Sequence, residues 1–309
     1  MKRNGKSHRG KQRWCCRRCH RTYCWHHVKK SLHDQRYPLF QSWVEEGYSV
    51  RQLSLISKLS RAVIKRSIRY WLQQLPPDKP LDTSAKYLVC DGTVFKDRIG
   101  TYAAMNAVGN QIVHAEYDIR ENGGELFDFY NHLAQHGLVP KTATIDGNPQ
   151  QIKYLSMVWP VIRVQRCIVH VQRQGLQWCR RHPKRTDAKH LRQIFLQLSY
   201  VSTISDAKQF IATVHAWEKK FGSTIDRSTD RGWVFSDLMK ARSMLLKALP
   251  NMFHFVRNHD IPKSTNALEG FFSRLKDHYH RHRGLSPAHR EAFLRWYIYF
   301  HQAKNSNTK

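Results

Sequence analysis

The sequence predicts an α/β fold: a mixed sheet in the middle of the chain, broken by a helical insertion and preceded by two small N-terminal modules. Three observations carry this. Between residues 84 and 171, short β-rich runs and helical stretches follow the order three strands, helix, strand, helix, strand. Residues 172–262 read as helical and strongly basic. The first 74 residues hold a Cys- and Arg-rich arm, followed by short helices. With 309 residues, 41% of them hydrophobic, the chain can bury one sizeable core and one or two small ones.

Charge narrows the partner. Lys and Arg number 52 against 23 Asp and Glu, a formal net charge of +29, so the surface should seek polyanions. No apolar run approaches the roughly 18 to 20 residues that a membrane-spanning helix needs, and the basic N-terminus lacks the apolar stretch of a signal peptide. Nucleic acid is therefore the expected partner and the cytoplasm the expected compartment. Charge alone names no reaction, because passive nucleic-acid binders are equally basic. Seven cysteines, with Cys15, Cys16, Cys19 and Cys24 crowded together, fit a reducing compartment in which local clusters hold metal rather than disulfides.

Residues 1–32 form the basic arm. Cys16 and Cys19 make a CxxC, half of a zinc ribbon, and are candidate zinc ligands; the second pair is missing, and Cys24, His26 and His27 could complete the site. A truncated basic arm reads equally well. Residues 38–74 carry apolar residues at helical spacing (Phe40, Trp43, Val44, Leu53, Ile64, Ile68). Gly47 ends the first helix, and Ser49 and Ser60 can cap the next two. The pattern predicts a helix-turn-helix whose last helix offers Arg61, Lys65, Arg66 and Arg69 to DNA. A helical bundle with a solvated basic face would give the same spacing. Leu75-Pro-Pro-Asp-Lys-Pro80 is a stiff linker, since three prolines in six residues exclude a helix.

The next segment, 84–171, opens with strands at Tyr87–Cys90, Gly100–Val108 and Ile112–Tyr117. A helix over Glu125–His136 and strands at Thr142–Ile145 and Val161–Val164 complete it. After the 172–262 insertion, residues 263–309 supply helices at Thr265–Leu275 and 287–302.

Asp91 and Asp146 each follow an apolar strand and precede a glycine, which predicts strand-end positions opening into one crevice. Glu269 lies on a helix that could bring a third carboxylate to the same place. Three acidic groups gathered in so basic a protein would repel one another and oppose DNA unless cations lay between them. Mg²⁺ or Mn²⁺ in a two-metal site for phosphodiester chemistry resolves that conflict. Singly, a strand-end Asp-Gly is more often a plain turn and a helix Glu a solvated one; their joint order is the stronger signal.

Asp91-Gly-Thr, Ile145-Asp-Gly, Gln165-Arg-Cys-Ile-Val-His170, Thr265-Asn-Ala-Leu-Glu-Gly270 and His282-Arg-Gly-Leu285 resemble the Mutator-type transposases of bacterial insertion sequences, over roughly residues 85–300. The resemblance implies an RNase H-like core whose acidic triad falls on Asp91, Asp146 and Glu269, with a helical insertion between the second Asp and the Glu. Well over a hundred positions separate Asp146 from Glu269, far more than a single connection needs. The first 72 residues similarly resemble a zinc ribbon and helix-turn-helix, with Gly10–Tyr23 matching only the second half of the ribbon.

Cys167, His170 and Asn266 are expected beside the active site: Cys167 and His170 as structural or positioning residues, with a zinc pair or a general acid-base role for His170 as alternatives. Arg166, Arg173, Lys276, Arg281 and Arg283 are expected to bind DNA, and Trp178 and Trp233 either stack on unpaired bases or belong to the helical core. The implied partners are double-stranded DNA, as element terminal inverted repeats and target, and a second copy of the chain, because transposition joins two ends. A structure-selective nuclease or resolvase and a catalytically decayed DNA-binding remnant are the competing readings; terminal inverted repeats flanking the gene would favour transposition.

Overall fold

The computed structural model describes residues 1–8, 10–24, 32–95, 100–119, 123–282 and 284–303. The chain divides into two compact units, Met1–Gln73 and Gln74–Lys309.

In the first unit, β1 (Lys2–Lys6), β2 (Gln12–Cys15) and β3 (Thr22–Cys24) form an antiparallel sheet. After α1 (Leu32–Gln35), helices α2 (Tyr37–Glu45), α3 (Val50–Ser57) and α4 (Arg61–Leu72) bury Phe40, Trp43, Val44, Leu53, Ile64, Ile68 and Leu72 together. Each such side chain contributes about 1.5–3 kcal/mol on leaving water, which is what holds so small a bundle. The two expected caps are present. Ser49 forms a capping box with Gln52 at the start of α3, and the Ser60 hydroxyl accepts the Val63 amide at the start of α4. Between them Lys58 adopts a left-handed φ of 57°, which stops α3 and turns the chain into α4.

The second unit contains a five-stranded mixed sheet in the order β6-β5-β4-β7-β8. β4 (Tyr87–Val94), β5 (Gly100–Asn106) and β6 (Gln111–Tyr117) run antiparallel as a meander. A four-residue loop, 107–110, turns β5 into β6, and its last two residues, Gly109 (φ 90°) and Asn110 (φ 54°), take the left-handed backbone that leads into β6. α5 (Glu125–Gln135) and α6 (Pro149–Val158) connect β4–β6 to the parallel strands β7 (Thr142–Ile145) and β8 (Arg163–Arg166). Alternation sets the faces: Leu88, Cys90, Tyr102, Ala104, Ala143 and Ile145 pack with Leu126, Phe129, Tyr130 and Leu133 of α5.

Helices α7 (Ile168–Cys179), α8 (Thr186–Gln197), α9 (Ile204–Asp226) and α10 (Trp233–Ala248) enclose a separate core around Val171, Leu191, Phe195, Val214, Trp217 and Leu245. The insertion is thus helical, but its first helix begins at Ile168, directly after β8. The chain returns to the sheet through three polar ties: Gln165 donates to the Met252 carbonyl (2.7 Å) and accepts the His254 amide (2.9 Å), and Thr144 donates to the Pro262 carbonyl (2.9 Å). Helix α11 (Asn266–Arg281) then runs against β4, and α12 (Pro287–Ala303) against β6.

Several boundaries differ from the sequence reading: the last strand is Arg163–Arg166 rather than Val161–Val164, and the second ends at Asn106 rather than Val108. Asp91 does not end its strand: antiparallel pairing with β5 carries β4 on through Gly92, Thr93 and Val94. The helix expected over Thr265–Leu275 continues to Arg281, so Lys276 and Arg281 project from α11 rather than from a segment trailing it. No helix among the described residues is long and apolar enough to cross a membrane.

Candidate active site

Strand register brings the first two carboxylates together. In the parallel pair β4–β7, Tyr87 lies opposite Thr142, Leu88 opposite Ala143 and Val89 opposite Thr144. Carried two residues further, the same register sets Asp91 level with Asp146, and level residues on parallel strands share a face. β7 ends at Ile145, so β4 continues past its neighbour and Asp91 stands over the edge where β7 stops. One strand over, Ile145 pairs with Arg166, which puts Cys167 next in the row; its amide donates to the Ile145 carbonyl at 2.7 Å.

Gly147 makes the Asp146 turn. Its φ is 94°, and a Cβ there would overlap the Arg166 guanidinium, which donates to the Asp146 carbonyl at 3.2 Å. Arg166, expected among the DNA-binding cations, is instead buried beneath this turn. Gly147→Ala should therefore lose about 2 kcal/mol from the left-handed φ alone and more from the overlap, readable as a lowered denaturation midpoint. A midpoint equal to that of the parent would show that the turn is not so constrained.

The third carboxylate comes from α11. Thr265, fully buried, sits just before the helix and touches three groups. Its hydroxyl reaches Glu269 Oε1 at 3.3 Å, His170 Nδ1 at 3.5 Å and Cys167 Sγ at 3.7 Å, while its amide donates to the same sulfur at 3.4 Å. His170 Nε2 lies 3.5 Å from Glu269 Oε1, and Arg173 Nη2 lies 3.8 Å from Oε2. Glu269 is one helical turn on from Thr265, so the two side chains share a face. Thr265 is not among the residues expected at the site; its place at the head of the Thr265-Asn-Ala-Leu-Glu-Gly270 motif and its i, i+4 spacing to Glu269 were the signals for it.

The electrostatics join these groups into one site. Burial raises the Asp91 carboxyl to about 6; the Gly92 amide and His170 oppose this, and Asp146 and Glu269 add repulsion. A hydrogen bond with Cys167 lifts His170 to about 9 despite its own partial burial. Burial would raise the Cys167 thiol, but hydrogen bonds with His170 and from the Thr265 amide outweigh it and hold the thiol below its ordinary value. The structure thus brings Asp91, Asp146, Glu269, Cys167 and His170 together. Asn266, at the first position of α11, is exposed and lies outside the Thr265 network.

Among the described residues, no group of three or more His, Cys, Asp or Glu side chains is placed to hold a metal ion. The donor types nevertheless suit a hard cation: three carboxylates, with burial as the main cause that raises the Asp91 carboxyl. In the first unit, Cys16 and Cys19 share the turn between β2 and β3, and backbone amides of Cys19 and Arg18 hold the Cys16 thiol below its ordinary value. A third or fourth zinc ligand is not assembled there among the described residues, and His26 and His27 lie outside them. Cys179 is buried in the helical core, which pushes its thiol up to about 12.

The other cations divide by exposure. Arg61, Lys65, Arg66 and Arg69 all stand exposed on α4. Arg173 and Arg281 are exposed, Lys276 is half-buried near the Phe95 ring, and Arg283 lies outside the described residues.

The sequence profile of the transposases of the Mutator family matches residues 44–305. The chain belongs to the Mutator family of transposases. The matched span of this Mutator-family chain includes all three carboxylates and the whole helical insertion. Among solved structures it is similar to one titled "Drosophila P element transposase strand transfer complex", with 10% identity and a TM-score of 0.39 over 88% of this chain and 92% of that one. No curated protein matches it.

Proposed function

We propose that this Mutator-family chain is a DNA transposase that cleaves the ends of its element and joins them to target DNA, with Asp91, Asp146 and Glu269 as its catalytic carboxylates. The observation that carries the proposal is that the β4–β7 register sets Asp91 level with Asp146 and that Asp91 feels the charge of both Asp146 and Glu269, in a chain of net charge +29. A three-stranded antiparallel meander followed by two parallel strands, with the first carboxylate on the first strand, supports reading the core as RNase H-like.

Asp91, Asp146 and Glu269 would hold Mg²⁺ or Mn²⁺. Bound there, the ions would lower the pKa of an attacking water or 3′-hydroxyl and stabilise the leaving oxygen. The protein's own contribution is positional. Thr265 orients the Glu269 carboxylate, and Arg166 props the Asp146 turn from below. His170 and Arg173 place positive charge beside Glu269, where a phosphate would approach.

Helices α3 and α4 we read as a helix-turn-helix that presents Arg61, Lys65, Arg66 and Arg69 to double-stranded DNA. Replacing Lys65 and Arg66 together by alanine should weaken duplex binding and lower the slope of log affinity against log salt by about 2, one for each phosphate no longer neutralised. Fluorescence anisotropy over a salt series checks this; an unaltered slope would remove α4 from the interface. Cys16 and Cys19 are proposed as half of a zinc ribbon, and a homodimer as the form that holds two ends.

The test of the reading is Mg²⁺- or Mn²⁺-dependent cleavage and strand transfer on labelled DNA carrying the element's own ends, with Asp146→Ala as control. Wild type should nick and join while the variant binds without doing either. Cleavage that ignores the ends and never joins would favour a nuclease; binding without cleavage by either protein would make the chain a DNA binder.

A further inference from the structure

The helical insertion carries a feature that the carboxylate site does not use. Trp233, the first residue of α10, is 69% exposed, whereas Trp178 is partly buried against the helical core. A single exposed apolar side chain is ordinary on a protein surface, so Trp233 gains meaning only from what holds it in place and what surrounds it.

Here they do. The Arg180 guanidinium lies 3.6 Å from the centre of the Trp233 ring and forms an ion pair with Asp237 at 3.0 Å. Arg180 ends α7 with φ 62° and ψ 169°, a backbone conformation that costs a non-glycine residue about 1–3 kcal/mol. Five residues on, Arg185 bridges Asp187 and Asp230, which ties the α7–α8 turn to the α9–α10 turn. The indole is thus fixed with one face backed by a cation. In the same two turns Arg181, His182, Lys184, Arg227 and Arg231 are all exposed.

We propose that Trp233, backed by Arg180, is a stacking site for an unpaired base of the bound DNA. An aromatic face accepts any base, a cation behind the ring strengthens the stack, and the flanking arginines and lysine match the phosphates on either side. A paired duplex offers no free base face, so the site selects opened or single-stranded nucleotides. This rests on DNA being the substrate, as proposed above, and adds where on the chain the unpaired strand is held.

The probes are a duplex with a short single-stranded overhang carrying 2-aminopurine and the same duplex fully paired, bound in turn to wild type, Trp233→Phe and Trp233→Ala. Trp233 is exposed, so neither substitution empties the core. Overhang affinity should fall about tenfold in Trp233→Ala, with the 2-aminopurine no longer quenched, while paired-duplex affinity stays the same. Trp233→Phe should retain most of both. Equal overhang binding by wild type and Trp233→Ala overturns the inference and leaves the catalytic reading intact; so does a change of oligomeric state alone, which would make the patch a protein interface. Failure of wild type to bind either DNA would instead overturn the reading of DNA as substrate.

Discussion

Asp91→Asn should abolish DNA cleavage, by on the order of a thousandfold or more, and at the same time stabilise the metal-free protein. Both effects follow from one geometry. Asp91 is buried beside two further carboxylates, so its negative charge is unfavourable in the fold and its carboxyl rises to about 6. Asparagine keeps the size and the acceptor for the Gly92 amide but removes the charge. The sign with pH is fixed: between about pH 4 and 6 the folded protein keeps a proton that the unfolded chain has released, so wild-type stability falls across that window. The variant should match wild type below about pH 4 and exceed it by about 3 kcal/mol above pH 6, measured by denaturant unfolding in chelator. A variant that is less stable at pH 7 would mean that Asp91 is satisfied by a partner, and that it is not a charge awaiting a cation.

Thr265→Val should have the second largest effect. The two side chains have nearly the same shape, so the fully buried site can accept the change, with a stability loss of about 1 kcal/mol. What disappears is the hydroxyl that reaches Glu269, His170 and Cys167. Freed of it, Glu269 can leave its position, and a misplaced catalytic group costs about a hundredfold in rate. The expected result is cleavage lowered by that order, a higher Mn²⁺ concentration for half-maximal rate and unchanged DNA affinity. Thr265→Ser should restore most of the rate. If serine and valine behave alike, the hydroxyl has no positioning role.

Much of the architecture was legible because it rests on short-range patterns. Short β-rich apolar runs marked the five strands, the last of them two residues early, and Ser49 and Ser60 announced the helix starts that they cap. Asp91 and Asp146 stood out as acids after apolar runs, but the sequence alone could not show that β4 outruns β7 and that their register levels the two residues. Arg166 reads as one more cation in a basic chain; only a close approach to Gly147, across two strands, shows that it is buried. The contacts of Thr265 were illegible for the same reason, since Cys167 and His170 lie nearly a hundred residues away. Trp178 and Trp233 look alike in sequence, and only helix packing sends one toward the core and the other to the surface.

The central claim is that Asp91, Asp146 and Glu269 act as one metal-binding constellation. Mn²⁺ binding, followed by electron paramagnetic resonance on the DNA-bound protein, tests it most directly by comparing wild type with Asp91→Asn, Asp146→Asn and Glu269→Gln. Each substitution should weaken Mn²⁺ binding by about tenfold or more, with DNA binding retained. Equal Mn²⁺ affinity in all four proteins would contradict the account, because three carboxylates that can be removed singly without consequence are not holding a common ion.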